Sequence, residues 1–357
     1  MSFWLGTHPR ERPVHGMLAS DVAVDLGTAT VLVYVRGRGI VLHEPSVVAV
    51  DAEQGEVLAV GQAAREMGGR APDSVSVVRP LRGGVVASYE MTRIMLRYFL
   101  QKALGKLPWV RPRVVVGIPP SITQVERRAL VDACTQAGAR EVHLVSQPLA
   151  AALGAGIEVD RPQGHLVVDI GGGTTDVAVL SAGGEAVVGS VRVAGDQMDE
   201  AVMRLLRRRH NLLIGERTAE ELKIRAGTVE PHLPASDAGV AVWGQDGVTS
   251  MPRVATVTAA ELREALMEPV RLIADAVHEV LERTPPELAG DIADHGVVLA
   301  GGGALLKGID EAMVQRLGLP VTIADDPIGC VVRGLGRVLD EMHHAPRNSP
   351  ARARQAA

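Results

Sequence analysis

Three short stretches of this chain carry residues able to do chemistry on phosphates. The first is Asp25-Leu-Gly-Thr-Ala-Thr30. A tight Gly-Thr turn aims backbone N–H groups and hydroxyls at one spot, which suits a phosphate, and a carboxylate at the preceding strand end can hold a hydrated cation. The second is Asp169-Ile-Gly-Gly-Gly-Thr-Thr-Asp176. Its run of glycines between apolar strands sacrifices backbone entropy that a plain hairpin keeps, and close approach of a ligand to the main chain explains that loss. Asp25 and Asp169 lie 144 residues apart, the spacing of a duplicated domain and not of a short repeat. Two such hairpins facing each other would grip a polyphosphate. The third stretch, Val297-Val-Leu-Ala-Gly-Gly-Gly-Ala-Leu-Leu-Lys307, runs a buried strand through Gly301, Gly302 and Gly303 into a helix start at Ala304 and Leu305. That is a usual place for an anion or for a base packed on bare backbone, whereas a purely structural turn needs one glycine.

The elements that must position these residues follow from periodicity. Apolar runs on either side of each turn read as hairpin strands, 22–35 and 165–180. After the first hairpin the pattern predicts strands at 46–50, 113–117 and 141–145 and helices at 90–104, 123–137 and 147–156. After the second it predicts a strand at 185–193, helices at 197–210 and 217–226, and a polar stretch over 227–256. A long helix at 258–283, a strand at 296–300, a helix at 304–316, a strand at 320–323 and a helix at 327–342 complete the reading. Strands alternating with helices in two copies imply an α/β protein of two related lobes, as does a length beyond one hydrophobic core.

Composition removes several function classes. The net charge of −5 argues against a nucleic-acid coat, and 22% charged residues against wholesale disorder. Cys134 and Cys330 make no disulfide framework, which fits a reduced compartment. No apolar run reaches the ~20 residues of a membrane span, and the leader 1–20 lacks the apolar core of a signal peptide. No metal cluster, Ser/His/Asp triad or reactive cysteine setting is evident; His143 and His165 read as packed strand histidines and Arg207–Arg209 as a solvated helix end.

The paired hairpins and late glycine turn are the nucleotide-binding signature of the actin, sugar-kinase and heat-shock-chaperone superfamily. The surrounding text narrows the match. Gly39-Ile-Val-Leu-His-Glu-Pro-Ser46, Arg79-Pro-Leu-Arg-Gly-Gly-Val85, Arg192-Val-Ala-Gly-Asp196, Ile214-Gly-Glu-Arg-Thr-Ala-Glu220 and Thr284-Pro-Pro-Glu287, in unbroken order over about 20–340, resemble the bacterial actins of the MreB/Mbl family. The resemblance implies an actin-like ATPase fold: two duplicated RNase H-like lobes, four subdomains and a cleft for ATP and Mg²⁺. Lobe I would span 21–157 with a small subdomain at about 47–84, and lobe II 158–324 with one at about 196–265. Residues 325–342 would return to lobe I as a helix, and 343–357 would be a disordered tail. Thr28, Ala29 and Thr30 would line the phosphates opposite Thr174, Thr175 and Asp176, with Gly27, Gly171, Gly172 and Gly173 in the turns. Glu220 and Lys223, on one helix face, would flank the nucleoside, and Gly301–Leu305 would back it. Asp25 and Asp169 would hold Mg²⁺, mainly through water.

The chain departs from the family pattern at Thr30, usually Asn, at Asp176, usually Glu, and at Gln147, which stands in Ser146-Gln147-Pro148 where the pattern reads Glu-Glu-Pro. Gln147 can position the attacking water, with Thr174 beside it, but cannot take its proton. The expectation is a slow ATPase. The resemblance further implies a homopolymer of double protofilaments on the inner face of the cell membrane, scaffolding peptidoglycan synthesis with cell-wall elongation proteins and maintaining cell shape. Phe3, Trp4 and Leu5 in the leader, and Leu107, Trp109 and Val110 in a loop ringed by Lys102, Lys106, Arg111 and Arg113, would contact lipid. Alternatives are a paralogue serving sporulation or septation, a small-molecule kinase, for which no catalytic Asp is identifiable, and a chaperone-type ATPase, for which no peptide-binding domain follows the last helix.

Overall fold

The computed structural model describes residues 21–105, 111–232 and 239–344. Val22–Leu26 and Thr30–Val35 form the first hairpin, with Val24 opposite Val33 and Asp25 opposite Leu32. Every residue of Val22–Leu26 is buried, which is why the strand reads as a continuous apolar run instead of alternating. Gly39–Pro45 extends the antiparallel side, while Arg113–Ile118 and Glu141–Ser146 add in parallel on the other. The resulting order is Glu141–Ser146, Arg113–Ile118, Val22–Leu26, Thr30–Val35, Gly39–Pro45.

Lobe II repeats this plan. Its order is Val321–Ile323, Val297–Ala300, His165–Ile170, Thr175–Ser181, Gly184–Val191, again two parallel neighbours followed by an antiparallel meander. Each sheet holds its own core: Phe99, Met95 and Leu100 from the helix Tyr89–Leu104 cover the first, and Leu262, Leu266 and Ile273 from Ala259–Glu282 cover the second. A small sheet rides on each lobe. Val48–Asp51, Val57–Val60 and Val75–Val78 form one, with the helix Gln62–Met67; Leu212–Leu213, Val240–Asp246 and Pro252–Val257 form the other. The molecule is thus an actin-like α/β fold of four subdomains.

A third core lies between the lobes. The helices Gln147–Gly154 and Cys330–His344 pack backbone to backbone there, and their Ala150, Ala151, Val331 and Leu335 join Ala23 and Val115 of lobe I to Val167 and Ala178 of lobe II. A Cβ on Gly334 would fall 1.8 Å from the Ala150 carbonyl oxygen, so only glycine permits this approach.

Three expectations differ from the structure. The polar stretch 227–256 contains the strands Val240–Asp246 and Pro252–Val257, whose alternation buries Val242 and Ala255 while leaving Trp243 and Val254 outside. The third glycine turn does not enter a long helix at 304. It closes into a short 3₁₀ turn, Gly302–Leu305, and the helix Ile309–Leu317 begins only after Gly308. The last helix runs to His344, two residues into the segment expected as tail. No helix among the described residues is long and apolar enough to cross a membrane.

Candidate functional site: the cleft between the lobes

The two hairpins end in the same turn. The Gly27 N–H donates to Thr30 O at 3.0 Å, and the Gly171 N–H to Thr174 O at 2.9 Å. The turns meet tip to tip across the cleft. A Cβ on Gly172 would stand 2.6 Å from the Ala29 Cβ, and one on Gly173 2.8 Å from Thr28 Oγ1. The opposite lobe itself therefore demands glycine there, a reason for the run that the sequence alone did not reveal. The third turn presses on the second hairpin in the same way: at Gly301, with φ +79°, a Cβ would lie 2.3 Å from Ile170 O. Gly302 differs, having no heavy atom closer than 3.9 Å.

Around these tips lies a cavity of about 610 Å³. It brings together Asp25, Gly27, Thr28, Ala29 and Thr30 from the first hairpin and Asp169, Gly171, Gly172, Gly173, Thr174 and Asp176 from the second. Gln147, Glu220, Lys223, Gly301, Gly302, Gly303 and Leu305 complete the expected set. Two expected residues lie elsewhere. Thr175 is fully buried and donates its hydroxyl to Val193 O at 2.7 Å, because strand alternation turns it away from the face that carries Thr174 and Asp176. Ala304 is fully buried in the core of lobe II.

Acid dominates the floor. Burial raises the Asp25 carboxyl to about 6, against a lowering contribution from the Gln147 amide. Burial also raises Asp169 well above the usual range, and the charges of Asp25 and Asp176 push the same way. Asp176 is raised to about 6 by burial, although the Ser190 and Thr174 hydroxyls pull it down. Thr174 Oγ1 donates to Asp176 Oδ2 at 3.2 Å, while Asp176 Oδ1 is buried without a hydrogen-bond partner. Buried carboxylates in this state gain from a cation, so the donor set fits Mg²⁺. Among the described residues no three side chains form a ready metal cage, so water and substrate oxygens would complete its shell.

Gln147 opens the helix Gln147–Gly154, with Pro148 in its first turn, where a fixed φ costs the helix nothing. Its Nε2 donates to Asp25 Oδ1 at 3.2 Å, which leaves Oε1 to accept from a water. Just before it, the Ser146 hydroxyl donates to Glu185 of lobe II. On the lobe II wall, Lys223 Nζ lies 2.9 Å from Asp199 Oδ1 and donates to Gly195 O at 3.0 Å. Ile224 and Leu305 are 73% and 56% exposed on the cleft wall, an apolar pair able to take a flat base. The sequence reading gave no site role to Ile224, Asp196 or Asp199: Asp196 closes the Arg192–Asp196 stretch without a function attached, Ile224 and Asp199 stand in no motif, and only the fold turns them toward the cavity. The arrangement can hold a polyphosphate on backbone N–H groups, a cation on carboxylates and a base on an apolar rim.

Phe3, Trp4, Leu5, Leu107, Trp109 and Val110 lie outside the described residues. Of the basic residues around the loop, Lys102 Nζ pairs with Glu44 at 2.5 Å and Arg113 Nε with Glu141 at 3.1 Å. His143 sits 2.8 Å from Glu141, and His165 stacks on His295 with ring centroids 4.8 Å apart. Arg209 at the end of its helix pairs with Glu264 at 2.6 Å.

The chain is 46% identical over 331 residues to the cell shape-determining protein Mbl of Bacillus subtilis, covering 93% of this chain and 99% of that protein. It is 45% identical over 336 residues to the cell shape-determining protein MreB of Escherichia coli K12, covering 92% and 96%. Among solved structures, MreB5 of Spiroplasma citri bound to AMPPNP superposes with a TM-score of 0.87 at 36% identity, over 92% of this chain and 98% of that one. The ADP-bound form of that protein gives 0.86. The family profile described as MreB/Mbl protein matches residues 19–347, and the chain belongs to the MreB/Mbl family.

Proposed function

We propose that this protein is an ATP-binding, self-assembling actin-like protein that acts in determining cell shape, at the inner face of the cell membrane and together with cell-wall elongation proteins. The observation that carries the reading is the pair of turns, each closed by a Gly N–H to Thr O hydrogen bond, meeting across a cavity of about 610 Å³ floored by buried carboxylates. The relatives named as cell shape-determining, and the AMPPNP- and ADP-bound states of MreB5, support it. Thr28, Thr30, Thr174 and the turn amides would hold the phosphates, and Asp25 and Asp169 would hold Mg²⁺ largely through water. The bound cation supplies charge neutralisation to phosphoryl transfer. Gln147 orients water without accepting its proton, so hydrolysis is slow and acts as a switch on the polymer.

Self-assembly draws support from the outer face of the small sheet on lobe II. Leu213, Ala241, Trp243, Pro252 and Val254 are exposed there, and Trp243 is 69% exposed directly across from Val254. Such a face is costly to leave in water. Membrane contact through Trp4 and Trp109 rests on sequence. The net charge of −5 argues against a nucleic-acid partner. A specialised role, in sporulation or septation, is the second reading, favoured by Gln147 and its tie to Asp25. Calorimetric titration with ATP, ADP and AMPPNP, with and without Mg²⁺, tests the core of the proposal. Mg²⁺-dependent binding at one site per chain is expected; no heat with any nucleotide would contradict it.

A further inference from the structure

Two arginines of lobe I reach across the cleft mouth to carboxylates of lobe II. Arg65, on the helix Gln62–Met67, places Nη2 2.5 Å from Glu220 Oε2. Arg79, just past the strand Val75–Val78, places Nη1 2.8 Å from Asp196 Oδ1 and Nη2 3.4 Å from Glu216 Oε2. The partners are 155 and 117 residues apart in the chain, so each pair joins the small subdomain of lobe I to the helices of lobe II. Pro80 follows Arg79 and confines its backbone to extended conformations, which limits where the guanidinium can swing. All of these side chains except Glu216 are about a third exposed, at the boundary of water and cavity.

Two of these three acceptors, Asp196 and Glu220, also line the cavity. Asp196, Asp199 and Glu220 stand together on the lobe II wall. A polyphosphate entering that cavity meets their negative charge unless something neutralises it. Lys223 neutralises Asp199 from within lobe II. Asp196 and Glu220 have their cations supplied from the other lobe. Arg65 occupies one oxygen of Glu220 and leaves Oε1 free to accept from a hydroxyl, so the guanidinium also fixes the carboxylate in the orientation a sugar would meet.

We infer that Arg65 and Arg79 are positioning residues of the nucleotide cleft: they clasp the small subdomain of lobe I to lobe II, neutralise Glu220 and Asp196, and hold shut the mouth through which a nucleotide leaves. The inference rests on the nucleotide reading of the cleft. The Asp196 N–H donates to Gly172 O at 2.7 Å, so the Arg79 pair stands beside the hairpin tips, and the Arg65 pair joins the helix Gln62–Met67 to the helix that carries Glu220. Losing the clasp lets the small subdomain of lobe I part from lobe II while the hairpins and the helix pair between the lobes remain.

The test uses the full chain with Arg65→Ala and Arg79→Ala combined, and Arg65→Lys with Arg79→Lys as the conservative pair. Release of fluorescently labelled ADP is followed by stopped flow. In parallel, the interlobe distance is measured between spin labels at Gln54→Cys and Val248→Cys, both on exposed turns; Cys134 and Cys330 are buried and stay unlabelled. The alanine pair should release ADP about tenfold faster, the product of two partly exposed ion pairs worth a few-fold each. Its interlobe distances should lengthen, and the lysine pair should recover most of both effects. Added salt should speed release from the wild type and leave the alanine pair nearly unchanged. Wild-type release and wild-type distances in the alanine pair would overturn the clasp, as would a lowered melting temperature with unchanged distances. Failure of the wild type to bind labelled ADP would overturn the nucleotide reading instead, and the distance arm would then decide the clasp.

Discussion

Asp176 offers a perturbation whose sign is opposite to intuition. Burial lifts its carboxyl from 3.8 to about 6 in the folded protein. The folded state therefore binds the proton more tightly than the unfolded chain, and stability falls as pH rises through the interval between those values. The folded-state penalty is absent below about pH 4 and complete above about pH 6. Converted at 1.36 kcal/mol per pKa unit, it amounts to about 3 kcal/mol for this one carboxylate. Asp176→Asn keeps the shape and the oxygen that accepts from Thr174, and it removes the charge. The nucleotide-free variant should be more stable than the wild type at pH 7.5, by about 3 kcal/mol or about 4 °C in melting temperature for a chain of this size. At pH 4 the two should converge. Thermal unfolding monitored by circular dichroism between pH 4 and 7.5, without nucleotide or Mg²⁺, reads both curves. A variant that is less stable at pH 7.5, or that keeps the wild-type slope, would refute the reasoning. On the proposed reading, a cation held by Asp25 and Asp169 would offset part of the penalty that the empty acidic floor carries.

Other consequences can be checked separately. Gln147→Glu restores a proton acceptor beside the cleft floor and should raise ATP turnover by about tenfold or more; an unchanged rate would show that proton transfer is not what Gln147 limits. Gly334→Ala drives a methyl group to 1.8 Å from the Ala150 carbonyl, where the neighbour is backbone and cannot yield, so a loss of about 3 kcal/mol is expected in urea unfolding. A midpoint within error of the wild type would mean that the two helices part easily. Trp109→Ser combined with deletion of residues 2–5 should abolish sedimentation with anionic liposomes, and retained binding would refute the lipid role of both segments.

Much of the site was legible because its signals are local. Both hairpins could be placed from the apolar runs flanking Asp25 and Asp169, since a strand buried on both faces announces itself without long-range information. Gln147 was found from its neighbour Pro148 and the resemblance that surrounds it. What escaped depends on contacts between distant segments. Nothing near Arg65 or Arg79 in sequence points to Glu220 or Asp196, because an arginine on a short helix, or one between a strand and a proline, reads as solvated. The glycines of the second hairpin were ascribed to a ligand, whereas Ala29 and Thr28 of the other lobe already fill the space that side chains would need. Thr175 and Ala304 were placed with their neighbours although strand alternation buries the first and the 3₁₀ turn the second. The strands at 240–246 and 252–257 were missed because their outward face carries apolar residues as well, so the period-two signal is blurred.

The measurement that bears most directly on the central claim is sedimentation of the purified protein with ATP, with ADP and without nucleotide, followed by negative-stain imaging of each pellet. The account predicts filaments in the pellet with ATP and Mg²⁺, and their loss when nucleotide is withheld. Soluble monomers under all three conditions, from protein that is folded by circular dichroism, would contradict it.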